Sequence, residues 1–193
     1  MLRVIAGSLR GRRLEVPPGD TTRPITDRVK ETLFNILGAK FALPGELPDF
    51  AVLDVFAGAG SFGIEAVSRG ARTCMFVERD REAVRCLRQN IRTLHLESAC
   101  RILADNAWTM RPPAVPDGYG LVFVDPPYRD AEDPLKALDL LERLAPALAP
   151  GGLIVFRQSA TAVPPPADQF RALQLDDERT YRFMRVQFLA RRT

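Results

Sequence analysis

From Ala51 onward, short apolar runs alternate with helix-length amphipathic segments, and this alternation limits the possible folds more than any other feature of the chain. Such alternation is typical of βαβ units on a parallel sheet. The predicted strands are 51–55, 73–77, 101–103, 120–124 and 152–156, and the predicted helices lie near 61–69, 81–96 and 134–148. Because βαβ crossovers are right-handed, the pattern predicts a doubly wound, Rossmann-like α/β fold with a mostly parallel sheet.

Both ends of the chain depart from this alternation. Residues 170–175 and 184–190 are β-like runs with no helix between them, which predicts a C-terminal antiparallel hairpin and brings the sheet to seven strands. In the second run apolar and polar residues alternate, as in a strand with one buried face. Near the start, the runs 2–5 and 12–16 flank a glycine-containing turn and predict a separate N-terminal β-hairpin.

A proline- and glycine-rich link follows this hairpin. Beyond it, Thr26 can cap a helix whose apolar positions recur at helical spacing until Gly38, where we expect the helix to stop. We therefore predict a basic hairpin and linker over residues 1–24 and one main domain over residues 25–193.

Positive charge is concentrated at the two ends. The net charge is only +3, yet residues 1–30 hold seven Arg and Lys against three acids, an excess of four, and the chain from Arg179 onward holds five arginines and no acid. Such ends suit a polyanionic partner, although a basic surface can also be merely solvated. The candidate nucleic-acid contacts are Arg10, Arg12, Arg13 and Arg23.

Other features exclude several classes of protein. No apolar run approaches the roughly 20 residues that span a bilayer, and the N-terminus has no signal-peptide core, so we expect a cytoplasmic protein. With three irregularly spaced cysteines and one histidine, the chain offers neither a disulfide framework nor a metal-ligand cluster. We expect a monomer without a metal.

The first motif with chemical meaning joins the first sheet strand to the next helix. It runs from Asp54 through three glycines, Gly58, Gly60 and Gly63, and Glu78 ends the following strand. Glycines at this turn allow a ligand to approach the backbone, and an acid about 20 residues further on can accept ribose hydroxyls. The spacing also fits a dinucleotide fingerprint, so by itself it leaves NAD and S-adenosylmethionine open.

The second motif is an apolar strand that ends in Asp125, Pro126, Pro127 and Tyr128. The prolines fix a stiff turn that presents a carbonyl beside a carboxylate and an aromatic ring. An exocyclic base amine is a poor nucleophile, because its lone pair is delocalised into the ring. Asp125 and the Pro126 carbonyl could accept its two N–H groups and orient that lone pair, while Tyr128 stacks on the base.

The chain resembles the bacterial 16S rRNA (guanine-N2)-methyltransferases, class I enzymes that use S-adenosylmethionine. The resemblance lies in both motifs, in the N-terminal segments 3–14 and 23–35, and in residues 54–71. The resemblance covers nearly the whole chain, but the tail around Tyr181 and Arg182 fits more loosely. It implies methylation of one guanine in a hairpin loop of 16S rRNA, as naked RNA or in an assembling small subunit. The cofactor-binding residues that it implies are Asp54, Phe56, Ala57, Gly58, Gly60, Glu78 and Asp105.

In that family the first of these acids holds the cofactor's amino group, Glu78 binds the ribose, and Asp105 reads the adenine amine. Two alternatives remain from the residues alone. An adenine-N6 methyltransferase of DNA or RNA could use the same Asp-Pro-Pro-Tyr turn, because both amines present two hydrogens. An NAD-dependent oxidoreductase could use the glycine loop, but it would leave that turn and the basic hairpin unexplained.

Overall fold

A computed structural model describes residues 2–18, 26–127 and 133–192 of the chain. The chain is organised as two compact units, Met1–Asp105 and Asn106–Thr193. Within the described residues, all seven predicted sheet strands, the N-terminal hairpin and the C-terminal antiparallel hairpin are present. The predicted fold class is therefore confirmed. The predicted domain boundary at residue 24 stays a prediction, since it lies outside the described residues.

The first unit is built on three parallel strands. They are β3 (Ala51–Val55), β4 (Thr73–Val77) and β5 (Cys100–Leu103), and β4 lies between the other two. Helix α2 (Ser61–Ser68) leads from β3 to β4, and α3 (Arg81–Thr93) leads from β4 to β5. Every residue of β3 is buried, Asp54 included, as expected for a mostly apolar strand inside a parallel sheet.

The N-terminal hairpin consists of β1 (Leu2–Arg3) and β2 (Arg13–Leu14), which pair antiparallel. Both strands are shorter than predicted. Beyond β2 the backbone leaves its partner strand, because the N–H and the carbonyl of Glu15 bond instead to the Asn90 side chain of α3, at 2.7 and 2.9 Å. The hairpin is thus attached to the first unit by hydrogen bonds.

Helix α1 (Asp27–Lys40) begins as predicted, since the Thr26 hydroxyl accepts a hydrogen bond from the N–H of Val29. The prediction that Gly38 stops the helix is wrong. Gly38 lies inside the last turn, and its carbonyl accepts the N–H of Leu43 at 2.8 Å as the chain turns back over the helix end.

The second unit contains β6 (Tyr119–Val124), α4 (Pro134–Leu144), β7 (Leu148–Ser159), β8 (Leu173–Tyr181) and β9 (Met184–Arg191). Its strands lie in the order β6-β7-β9-β8. The β6–β7 pair is parallel, and β9 pairs antiparallel with both β7 and β8. Two apolar side chains of β6 and β7 with no exposure, Leu121 and Ile154, belong to its core.

Two helices end earlier than predicted. Helix α3 stops at Thr93, because His95 adopts a φ of 57° and turns the chain, and the N–H of Leu96 then bonds back to Ile91. Helix α4 stops at Leu144 and continues as a 3-10 turn, where Pro146 has no N–H to extend the helix.

The C-terminal strands differ from prediction in their burial. The alternation in β9 predicts one buried face, but Gln187 and Leu189 on the other face are only 2% and 0% exposed, so both faces of the strand are covered. The sequence predicts a strand over 170–175, but strand β8 starts at Leu173 and continues through the acids at 176–178 to Tyr181. An edge strand tolerates such charges, because one face remains in water.

Two further properties concern the described part of the chain. The three cysteines are buried free thiols, and burial raises the pKa of Cys100 to about 12. Across residues 2–18, 26–127 and 133–192, no helix combines the length and the apolar character needed to cross a bilayer.

Candidate functional site

Three acidic side chains lie at the carboxyl ends of the three parallel strands in the first unit: one within the last two residues of β3, one directly after β4 and one two residues after β5. These ends are aligned, because Val55 pairs with Val77 and Val77 pairs with Leu103. In open α/β sheets, ligands bind in the crevice at this edge. The acids at this edge are Asp54, Glu78 and Asp105.

The Glu78 carboxylate holds the glycine loop in place. Its Oε2 atom accepts the N–H of Gly58 at 2.8 Å, and its Oε1 atom accepts the N–H groups of Arg79 and Asp80, also at 2.8 Å. An ionised carboxylate has about four acceptor positions, so these three bonds fix its orientation and leave capacity for one more donor. This arrangement suits a carboxylate that also accepts a ligand hydroxyl.

Asp54 shapes the same loop from inside. The residue is only 1% exposed, and its Oδ2 atom accepts the N–H of Gly63 at 2.9 Å in the first turn of α2. A carboxylate at a helix N-terminus is favoured by the helix dipole. Asp105 lies two positions after β5 and is exposed. Contacts of Asp54 and Asp105 with a cofactor stay predictions.

The loop between β3 and α2 has an unusual backbone. Phe56 has a φ of 64°, in the left-handed region, and Ala57 is buried behind it. A Cβ atom on Gly58 would meet nothing within 4 Å, whereas one on Gly60 would lie 2.5 Å from Leu87. Gly58 therefore presents open backbone to which a ligand can come close, and Gly60 allows the loop to pack on α3.

Asn90 is a residue of this region that the sequence did not single out. It is 2% exposed, and its amide donates to the carbonyls of Ala59 in the glycine loop and Glu15 after the hairpin, at 3.0 and 2.9 Å. One side chain therefore links the glycine loop to the N-terminal hairpin. Its only sequence signal is a polar residue on an otherwise apolar helix face.

A buried ionic cluster beneath the hairpin was also missed. Glu65 of α2 has no exposure, and its carboxylate accepts from Lys30 at 3.1 Å, from Arg69 at 2.9 Å, and from the backbone N–H groups of Ile5 and Ala6 at 2.8 and 3.0 Å. Burial lowers the pKa of the Lys30 ammonium, and the carboxylate of Glu65 opposes that shift. This cluster fixes the loop between β1 and β2 to α2.

The predicted nucleic-acid contacts lie at the turn of this hairpin. Arg10, Arg12 and Arg13 are exposed. Arg12 also donates to the carbonyl of Thr93 at 3.2 Å, at the C-terminal end of α3. Arg23 lies outside the described residues. The turn thus presents three guanidinium groups, one of which is partly engaged by the protein.

In the second unit, Asp125 follows β6 and is held by an arginine that the sequence did not reveal. Arg157 of β7 donates from Nε to Oδ1 at 2.7 Å and from Nη2 to Oδ2 at 2.5 Å, a bidentate pair. The Arg157 side chain is 12% exposed and the Asp125 side chain is 16% exposed. Pro126 is buried, and Tyr128 lies outside the described residues. The carboxylate is therefore fixed in orientation and remains accessible.

Within the described ranges, no group of three or more His, Cys, Asp or Glu side chains is arranged to hold a metal ion. The acids of both units instead bond to backbone N–H groups or to a guanidinium. Carboxylates held by such hydrogen bonds suit a site that orients the N–H or O–H groups of an organic ligand.

Residues 2–189 match the family described as conserved hypothetical protein 95. The chain is 41% identical over 139 residues to the candidate rRNA methyltransferase YlbH of Bacillus subtilis, covering 71% of each protein. It is also 41% identical over 129 residues to the ribosomal RNA small subunit methyltransferase D of Escherichia coli, covering 66% of this chain and 61% of that enzyme. The chain thus spans less than two thirds of the E. coli enzyme.

The solved structure of yhhF from Escherichia coli, named as a candidate methyltransferase, superposes with a TM-score of 0.76 at 31% identity. That match covers 100% of this chain and 98% of the other. A Thermus thermophilus protein, TTHA0928, superposes with a TM-score of 0.74 at 26% identity, with 98% and 99% of the two chains covered. The similarity therefore extends over both units.

Proposed function

Since the chain belongs to the conserved hypothetical protein 95 family and is 41% identical to a small-subunit rRNA methyltransferase, we propose that it methylates one guanine of 16S rRNA on its N2 amine. The methyl donor in this proposal is S-adenosylmethionine. The observation that carries the proposal is Asp125, an accessible carboxylate fixed by Arg157 at the start of the Asp-Pro-Pro turn.

The edge residues of the first unit fit this cofactor. A ribose hydroxyl needs an oriented acceptor, and Glu78 keeps acceptor capacity after bonding to three backbone N–H groups. Beside it, Gly58 leaves space that a side chain would otherwise fill. We assign Glu78 to the ribose, Asp105 to the adenine amine, and Asp54, Phe56, Ala57 and Gly60 to the shape of the loop around the methionine end.

The turn after β6 is assigned to the guanine amine. Asp125 and the Pro126 carbonyl each accept one N–H of that amine, so that its lone pair is presented along one direction. Tyr128 is assigned to stack on the base, as aromatic side chains do on bases outside a helix. Arg157 keeps the Asp125 carboxylate from rotating, because two guanidinium hydrogen bonds fix its plane.

Catalysis in this proposal depends on orientation. Bound S-adenosylmethionine supplies an already activated methyl group on a sulfonium. The residues of the turn orient the amine that accepts this group and limit its rotation, and such positioning can supply most of a rate enhancement. The extra proton leaves to solvent after transfer, because a methylated base amine that still carries it is a strong acid.

Glu78→Ala is expected to weaken the binding of S-adenosylmethionine by about 1–3 kcal/mol, because charge-assisted hydrogen bonds to the ribose are lost. Saturating cofactor should restore part of the rate. Calorimetric titration with S-adenosylmethionine and with NADH measures this effect and also tests the oxidoreductase alternative. An unchanged dissociation constant for Glu78→Ala removes this residue from the site.

We assign the N-terminal hairpin to bind rRNA phosphates through Arg10, Arg12 and Arg13. Replacing all three by alanine should weaken RNA binding for every sequence, because each arginine bound to a phosphate displaces condensed counterions. The slope of log affinity against log salt should flatten by up to about 0.7 for each arginine–phosphate pair removed on single strands. Arg12→Ala alone should have the smallest effect, since this side chain also bonds to Thr93.

The matched control removes equal charge from exposed arginines elsewhere, in the triple variant of Arg72, Arg101 and Arg171. It should keep most of the wild-type salt slope. If the hairpin variant retains full RNA affinity and salt slope but melts at a lower temperature, the three arginines stabilise the hairpin and RNA is recognised elsewhere.

A further inference from the structure

The tip of the β8–β9 hairpin exposes a large aromatic side chain. Strand β8 ends at Tyr181 and β9 begins at Met184, so Arg182 and Phe183 form the turn. Phe183 is 53% exposed and is the one aromatic among the exposed large hydrophobic side chains of the described residues. The Arg182 guanidinium lies 4.9 Å from the centre of its ring. A ring and a cation are therefore presented together to solvent.

The protein holds this tip in place. The carbonyl of Phe183 accepts the N–H of Ala160 at 3.2 Å, just beyond the end of β7. Arg185, two residues further on, donates to the carbonyl of Ala162 at 3.0 Å. Because a backbone bond and a side-chain bond attach the turn and the start of β9 to the segment after β7, the exposed ring projects from an anchored segment.

The tip is also connected to the proposed amine-binding carboxylate. Met184, the next residue after Phe183, is only 6% exposed, and its Sδ atom lies 4.0 Å from Nη1 of Arg157. The same guanidinium holds Asp125 through its other nitrogens. The tip is therefore linked to Asp125 through two side-chain contacts, that of Met184 with Arg157 and that of Arg157 with Asp125. All of these residues belong to the second unit.

Charge at the tip favours a nucleotide as its occupant. Two neighbouring arginines are neutralised within the hairpin, since Arg179 pairs with Asp177 at 3.1 Å and Arg185 pairs with Glu178 at 3.4 Å. Arg182 forms no salt bridge with a described residue. Its positive charge can therefore meet a phosphate while the adjacent ring meets a base, which is how single-stranded nucleic acids bind aromatic platforms.

We propose that Phe183 and Arg182 form a stacking platform for an unpaired rRNA nucleotide next to the target guanine. The proposal rests on the proposed function, because it requires an RNA substrate with unpaired bases. It gives the C-terminal hairpin a role in substrate recognition, separate from the phosphate binding assigned to the N-terminal arginines.

The test compares Phe183→Ala, Phe183→Leu and Phe183→Tyr with the wild type on an rRNA stem-loop and on a fully paired duplex of equal length. Phe183→Ala should weaken binding of the stem-loop by about 5-fold to 150-fold, the range for losing one stacked base. Phe183→Leu should behave like the alanine variant, and Phe183→Tyr should restore binding. Duplex affinity and the dissociation constant for S-adenosylmethionine should not change.

Leu175→Ala is the matched control, since Leu175 is an apolar side chain of β8 that is 40% exposed. It should bind the stem-loop as the wild type does. Full stem-loop affinity in Phe183→Ala, rescue by leucine, or an equal loss on the duplex each overturns the platform. A wild-type chain that binds no RNA and transfers no methyl group contradicts the proposed function itself, and the platform with it.

Discussion

Asp125→Ala is expected to abolish methyl transfer while the affinity for S-adenosylmethionine stays within a few-fold of that of the wild type. The amine loses the acceptor that orients its lone pair, and removing one oriented polar group of this kind lowers kcat by about 100-fold to 1,000-fold. Single-turnover transfer of labelled methyl groups to rRNA measures the rate, and calorimetry measures cofactor binding.

Asp177→Ala provides a matched control. Asp177 also pairs with an arginine of the second unit, Arg179, and its side chain is 22% exposed against 16% for Asp125. Its loss should leave both kcat and cofactor binding unchanged. If Asp125→Ala loses cofactor binding together with activity, Asp125 is a cofactor or folding residue and the amine-binding role is wrong.

Glu65→Ala is expected to give the largest loss of stability. The substitution removes the carboxylate that pairs with Lys30 and Arg69, two cations whose side chains are only 1% and 2% exposed. It also removes the acceptor of the N–H groups of Ile5 and Ala6. Removing one partner of a buried ion pair costs about 3–5 kcal/mol. Urea unfolding measures the loss, and hydrogen exchange at the amides of Ile5 and Ala6 should become faster.

The control for this loss is Asp139→Ala, which breaks the pair between Asp139 and Arg143 at 3.1 Å on α4. The Asp139 side chain is 73% exposed, so its loss should cost at most about 0.5 kcal/mol. A Glu65→Ala chain about as stable as this control would show that the buried cluster does not hold the loop between β1 and β2.

Strands β3 and β4 of the first unit were predictable because each is a short, mostly apolar run with clear bounds. The predictions 51–55 and 73–77 match β3 and β4 residue for residue. The burial of β9 was not predictable in the same way. Its alternation of residue types indicates one face in water, but Gln187 on that face is buried and its amide donates to Glu178 of β8, a contact between strands that the residue pattern does not reveal.

The site was predictable where neighbouring residues carry its chemistry. The glycine loop and the Asp-Pro-Pro turn are local motifs, and the structure places both at strand ends. The pair between Asp125 and Arg157 was missed, because Asp125 follows β6 whereas Arg157 lies on β7, and a lone arginine in an apolar run carries no pairing signal. Glu65 was missed since an acid in a helix normally indicates a solvated face.

The measurement that tests the central claim most directly is the chemical identity of the product. Unmodified 16S rRNA, as naked RNA and in assembled small subunits, is incubated with the protein and S-adenosylmethionine, digested to nucleosides, and compared with authentic standards by chromatography and mass spectrometry. The proposed function predicts N2-methylguanosine from at least one of these substrates, and none from the Asp125→Ala variant. N6-methyladenosine as the product, or no methylated nucleoside from either substrate, would contradict it.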